Sequence, residues 1–246
     1  MILYKDFKRK VEKDIDAWSE VLITDPISSL MSYCILKFST NEFIPYIITL
    51  LSFIFKLIGA LCLLKNNIIF GVILIFIGIV LDGVDGKTSR YIFGKDPELR
   101  GTMDFVFDYI SLVILFVGVG FLLVVNNLNI LLLLFVLYIS LICFLNAIIS
   151  TKFRLYGIYK QDSTKLLLDN KEYSKGITGM IRKIQYAFKK HRMTFHPTTV
   201  DSEILVFVLF PLFFNIWLLL LGILFVLADI VICGLVPVFL VLWNEK

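Results

Sequence analysis

Charge is scarce in this sequence. Asp, Glu, Lys and Arg make up 18% of its 246 residues, against about 25% in an average soluble domain. The hydrophobic fraction is 59%, with 23 Phe and 10 Tyr, more apolar surface than a soluble domain of this length can bury. The low charge therefore excludes a disordered chain and an ordinary cytosolic enzyme. Cysteine is scarce too: Cys34, Cys62, Cys143 and Cys233 are scattered, with no CxxC pair, which excludes a disulfide scaffold and reads as free, packed thiols. Met1 to Lys13 contain no apolar run, so this stretch is expected not to be a cleaved signal peptide. The net charge of +4 comes without a nucleic-acid-binding signature. It suits an anionic membrane surface instead.

What the sequence does have is long apolar runs. A spanning helix needs roughly 20 apolar residues. The runs Ile44–Leu64, Ile68–Leu81 continuing into the Asp82 segment, Thr102–Val125 and Ile130–Ile149 supply four spans. The run Ile204–Trp243 is too long for one, and Asn215 offers a turn that divides it into a fifth and a sixth. All Lys and Arg except Lys56 and Lys65 fall on one side of this arrangement. The positive-inside rule makes that side the cytoplasm and places both termini there. The expected fold is all-α: a six-helix polytopic membrane domain over residues 44–246, preceded by a cytoplasmic arm, 1–43. An insertion of about 151–200 is cytoplasmic. Two segments read as interfacial amphipathic helices. One is N-capped by Asp25, with Pro26 in its first turn and Ile27, Leu30, Met31, Ile35 and Phe38 on one face. The other carries Ile177, Met180, Ile181, Ile184 and Phe188 opposite Arg182, Lys183, Lys189, Lys190 and Arg192.

The chemistry concentrates at one hairpin. Asp82 and Asp85 are three residues apart at the end of the second span; Asp104 and Asp108 are four apart in the third. Each spacing puts both carboxylates on one helical face, so a hairpin brings four together at the edge of the bilayer. Four unpaired charges there are costly and call for cations. An all-oxygen set favours Mg²⁺, Mn²⁺ or Ca²⁺, and four carboxylates on two helices suit a two-metal site with ions roughly 3.5–4 Å apart. Such a site holds diphosphates. No thiolate cluster, and neither His191 nor His196, lies near in sequence to suggest zinc there. Arg90, two turns beyond Asp82, reaches the same phosphates, and Gly83 and Gly86 leave room for a nucleotide against the backbone.

These residues resemble the motif of the CDP-alcohol phosphotransferase (CDP-alcohol phosphatidyltransferase) family, D-x2-D-G-x2-A-R followed by a spacer and G-x3-D-x3-D. Asp82, Asp85, Gly86 and Arg90 match in order and spacing, and Asp104 and Asp108 match the closing pair. Ser89 stands at the usual Ala. Arg100 occupies the expected glycine position, with Gly101 one residue later. Pro45 and Thr49 lie in a variant of the family's Pro-Asn-x-x-Thr segment in which Tyr46 replaces the Asn. The resemblance implies transfer of a substituted phosphoryl group from a CDP-linked donor to an alcohol or lipid acceptor, with release of CMP, in phospholipid biosynthesis. It implies two divalent ions, Mg²⁺ or Mn²⁺, on Asp82, Asp85, Asp104 and Asp108. Asp108 would double as general base, and Gly86, Ser89, Arg90, Thr49 and Pro45 would contact the donor. It also implies a homodimer among membrane lipids. The membrane is expected to be the inner membrane of a prokaryotic cell, with the site on the cytoplasmic side marked by the Lys and Arg bias.

Arg154, Arg192 and His196 are candidates for the acceptor side. His196, Asp201 and Glu203 either face the pocket or cap the fifth helix. Lys56 and Asp229, ionisable residues inside spans, are expected to meet each other or a polar cavity. Three other classes compete. A structural membrane anchor needs no aspartate cluster at all. A prenyl-diphosphate transferase also holds a diphosphate with aspartates but lacks the Gly86-to-Arg90 element. A transporter predicts charges along several spans, whereas here they cluster at one hairpin.

Overall fold

A computed structural model describes residues 3–94, 97–156 and 185–235 of the chain. Among them the regular structure is helical, apart from one parallel bridge between Asp16 and Met193. The helices are α1 (Tyr4–Val11), α2 (Glu20–Phe38, opening with a π-helical turn over Glu20–Thr24), α3 (Ile44–Leu64), α4 (Ile68–Phe93), α5 (Glu98–Val125) and α6 (Asn129–Tyr156). Then follow α7 (199–213) and α8 (216–235), each with a π-helical segment, Ile204–Leu209 and Ile230–Leu235 respectively.

The punctuation is local. Pro45 sits in the first turn of α3, where a missing N–H costs nothing, whereas Pro26 lies inside α2, directly after its π-helical turn. Asn66 and Asn127, both at φ 56°, turn α3 into α4 and α5 into α6, a conformation asparagine tolerates. The Asn215 side chain accepts the Trp217 N–H at 2.9 Å and caps α8. The long C-terminal run therefore does divide at Asn215.

Among the described residues six helices are long and apolar enough to cross a membrane: Glu20–Phe38, Ile44–Leu64, Ile68–Phe93, Glu98–Val125, Asn129–Ile148 and Ile216–Cys233. The number matches the expectation, but the membership differs in one place. The π-helical turn starts α2 at Glu20 instead of Asp25, which lengthens the segment read as interfacial to 19 residues. The fifth expected span, α7, ends at Phe213 and is too short for roughly 30 Å of hydrocarbon at 1.5 Å per residue. Asp25 is consequently not an N-cap; it lies inside a continuous helix. The 157–184 part of the insertion, including most of the second amphipathic segment, and the end of the last run from residue 236 lie outside the described residues. Phe188, from the described part of that segment, stacks on Trp18 with ring centroids 5.5 Å apart.

Packing is inverted as lipid requires. α2 buries Asp25, Ser28, Ser29 and Ser32 against the bundle and exposes Leu22, Ile23, Ile27 and Leu30. Cys34 and Cys143 are also exposed, so these two are not packed thiols. On the inner side, Phe116, Phe135, Tyr138 and Phe207 form an aromatic cluster that joins α5, α6 and α7. The Tyr138 hydroxyl lies 2.9 Å from Ser202 Oγ.

α3 and α4 cross at glycine. A Cβ on Gly59 would stand 2.8 Å from the Gly71 carbonyl oxygen and 2.7 Å from Ile75 Cγ1; one on Gly71 would meet the Gly59 carbonyl at 2.9 Å. Small residues permit this approach in a membrane, and the approach sets the depth at which α3 presents Thr49, Ser52 and Lys56 to α4. Gly59→Val is expected to cost about 1–3 kcal/mol by forcing the helices apart. Thermal unfolding of the purified protein in detergent reads the loss, and an unchanged midpoint would contradict this packing.

Candidate active site

Asp82 and Asp85 lie on α4, Asp104 and Asp108 on α5, and α3 closes the space between. One carboxylate oxygen from each of Asp82, Asp104 and Asp108 lies within 4.8 Å of the others. These three can surround one ion. All four aspartates line a cavity of about 570 Å³, together with Lys56, Gly86, Arg90, Arg100, Glu203 and Asp229. The expected convergence of the two acidic faces is thus present, with Asp85 held apart from the other three.

The reason is a set of cations supplied by the chain itself. Lys56 Nζ is 2.9 Å from Asp108 Oδ1 and 3.2 Å from Asp82 Oδ1. Arg100 Nη1 is 3.1 Å from Asp85 Oδ1, and its Nη2 is 3.3 Å from Asp104 Oδ2. Thr49 Oγ1 approaches Asp85 Oδ2 at 2.5 Å. Each cation bridges one aspartate of α4 to one of α5, which offsets repulsion between four carboxylates in a low-dielectric setting. Arg100, at the family's glycine position, is 3% exposed.

The donor set fits the divalent ion implied by the resemblance. Asp82, Asp104 and Asp108 present hard oxygens at one point. A second ion would need Asp85, which is now engaged by Arg100 and Thr49.

The other expected site residues are placed as follows. Gly86 and Arg90 line the cavity, and Arg90 is aimed by a 2.6 Å hydrogen bond from Nε to the Val11 carbonyl. A Cβ on Gly86 would lie 3.3 Å from Arg90 Nη1. Pro45 and Thr49 are buried behind Asp85, and Ser89 is fully buried outside the lining. Arg192 pairs with Glu12 at 2.8 Å and Asp25 at 3.1 Å, and His196 faces Asp229 at 3.4 Å; neither lines the cavity. The Arg154 side chain lies outside the described residues. Asp201 caps α7 through Thr198 and accepts the Ser19 N–H at 2.5 Å, whereas Glu203 faces the cavity. Lys56 and Asp229 do not meet, but both reach that cavity.

Two features have no signal in the sequence. Lys87 Nζ, beside the motif, donates to Asp25 Oδ1 at 2.5 Å and to Ser28 Oγ at 2.8 Å, both partners buried. This pair fixes α2 against α4 directly behind Gly83. Lys13, from the arm, also lines the cavity. Burial lowers its pKa, but the Glu20 and Asp16 carboxylates outweigh that and leave it raised. Lys13 is therefore a cation at neutral pH.

Comparison with known proteins accords with this geometry. The family model for CDP-alcohol phosphatidyltransferase matches residues 42–168, which contain all four aspartates and the helices that carry them. The chain belongs to that family. No curated protein and no solved structure matches it. It is a membrane enzyme of the CDP-alcohol phosphotransferase type.

Proposed function

We propose that the chain transfers a substituted phosphoryl group from a CDP-linked donor to an alcohol, releasing CMP, as a step of phospholipid biosynthesis. The observation that carries the reading is the convergence of Asp82, Asp104 and Asp108 within 4.8 Å at the cavity wall, inside the family match. Bound Mg²⁺ or Mn²⁺ at these carboxylates supplies charge neutralisation for the diphosphate. Asp82 and Asp104 hold the site. Asp108 takes the proton from the acceptor hydroxyl as it attacks phosphorus, and the bond to the CMP oxygen breaks on the opposite side. Arg90, beside Gly86, and Lys13 neutralise phosphate oxygens. Thr49, with Pro45 at the start of its helix, keeps Asp85 in place, and Ser89 packs the α4 turn that carries Gly86 and Arg90.

A second ion of the family's two-ion arrangement would be held by Asp85, which is paired with Arg100 and Thr49 in this structure; Arg100, also on the cavity wall, would then be available to the diphosphate. The cavity opens toward the cytoplasm of a prokaryotic cell membrane, the side to which Lys and Arg are biased, and the functional unit is a homodimer. A prenyl-diphosphate transferase would use the aspartates in the same way but would leave the Gly86–Arg90 pair on the cavity wall without a nucleotide to hold.

Product analysis by mass spectrometry tests the reading. Purified protein in nanodiscs with Mn²⁺ is offered CDP-diacylglycerol with polar alcohols, and CDP-choline or CDP-ethanolamine with diacylglycerol. A phosphodiester lipid formed together with CMP from one donor class supports the reading and fixes its direction. Consumption of a prenyl diphosphate with no CMP from any CDP donor contradicts it.

A further inference from the structure

A second group of ligand-type side chains lies at the start of α7. His196 precedes that helix, while Asp229 and Cys233 are four residues apart on α8, so the last two share a helical face. His196 Nε2 is 3.4 Å from Asp229 Oδ1 and 3.5 Å from Cys233 Sγ. One donor atom from each of the three lies within 4.8 Å of the others.

The pattern of contacts decides between three readings. A nucleophilic relay needs the carboxylate on one imidazole nitrogen and the thiol on the other; here both converge on Nε2, so no relay forms. A plain hydrogen bond between imidazole and carboxylate favours 2.7–3.2 Å, and 3.4 Å is long for one. Tetrahedral zinc with bonds of roughly 2.0–2.1 Å to nitrogen, 2.0–2.2 Å to oxygen and 2.3 Å to sulfur separates its ligands by about 3.3–3.6 Å. Both distances at Nε2 fall in that interval.

The surroundings fit a ligand set as well. Asp229 Oδ2, the oxygen not facing His196, accepts from Thr199 N at 3.1 Å and Thr199 Oγ1 at 2.6 Å. Such outer hydrogen bonds orient a metal-binding carboxylate. The His196 carbonyl accepts from Thr194 Oγ1 at 2.7 Å, and the residue is 5% exposed. Its Nδ1 has no partner among the described residues, so with Nε2 on a metal the Nδ1–H would donate to a water.

We propose that His196, Asp229 and Cys233 bind one zinc ion, separate from the aspartates of the transfer site. Nitrogen, carboxylate and thiolate together select zinc over the Mg²⁺ or Mn²⁺ of an all-oxygen site. Asp229 is the ligand on the cavity wall, so a water completes the tetrahedron from that side. The ion ties the segment before α7 to α8 and holds the cavity wall that both helices form.

The test uses full-length, tag-free protein in detergent. Wild type is expected to retain about one zinc per chain by atomic emission, and Cys233→Ser and His196→Gln are expected to lose it. Co²⁺ added to the metal-stripped protein should give a sulfur-to-cobalt charge-transfer band that Cys233→Ser abolishes. Thr199→Ala should weaken zinc binding by about 10–100-fold. Should these variants fail to fold, Cys34, Cys62 and Cys143 are replaced by Ser, and alkylation of the remaining Cys233 is timed with ZnCl₂ and after EDTA. Slower alkylation with zinc supports the site. Equal alkylation rates overturn it, as does cobalt binding without a sulfur band or zinc retained equally by Cys233→Ser.

Discussion

Asp108→Asn is expected to lower CMP release by about 10²–10⁴-fold, the range associated with a lost general base. The substitution keeps the shape and one carbonyl oxygen but removes the charge and the basic lone pair. The donor should still bind, because Asp82, Asp104, Gly86, Arg90 and Lys13 all remain on the cavity wall. The loss therefore belongs in kcat, with KM for the CDP donor changed little. Steady-state CMP release across donor concentrations checks this. A variant with an unchanged rate at saturating donor would remove Asp108 from the chemistry. One that fails to bind any donor would show that its carboxylate mainly holds the ion.

The second large effect concerns Lys56. Its ammonium bridges Asp82 and Asp108, so Lys56→Met leaves two carboxylates facing each other. Removing one partner from a fully buried pair costs about 3–5 kcal/mol. The side chains of Asp82 and Asp108 are 36% and 47% exposed, so solvent screening reduces the expectation to about 2 kcal/mol. For a chain of this size that is a fall of about 4–8 °C in the unfolding midpoint when divalent ions are absent. Mn²⁺ should restore most of it, because an ion then does what the ammonium did. The variant should therefore show a larger Mn²⁺-induced rise in midpoint than wild type and a tighter Mn²⁺ affinity. Thermal scans with EDTA and with Mn²⁺ measure both. Equal ion-induced shifts in the two proteins would mean that Lys56 does not compete for the same carboxylates.

The aspartate hairpin was legible in the sequence because its information is local. Spacings of three and four residues fix a helical face whatever the helix packs against, so Asp82, Asp85, Asp104 and Asp108 could be placed before any fold was known. The same holds for the turn at Asn215, where a single residue marks the break. Partners from distant segments were not legible. Lys56 read only as a charge that must face inward, and nothing local connects it with Asp108, 52 residues away. Asp25 sat before Pro26 like a helix cap. Its partners Lys87 and Arg192 lie 62 and 167 residues further on, and the π-helical turn that moves the helix start to Glu20 has no sequence signature. Arg100 was visible as a departure from the family's glycine, but its grip on Asp85 and Asp104 depends on how α5 sits against α4. Cys233 read as an inert thiol because His196 reaches it only once α7 and α8 pack.

Metal-dependent transfer from a CDP donor at the aspartate-lined cavity is tested by CMP release from the purified protein in nanodiscs, with CDP-linked donors and an alcohol acceptor, as free Mn²⁺ is titrated from EDTA-chelated to saturating. No release is expected in EDTA, a saturable rise with Mn²⁺, and no rise in Asp108→Asn. CMP release that is indifferent to EDTA, or equal in Asp108→Asn and wild type, would contradict it.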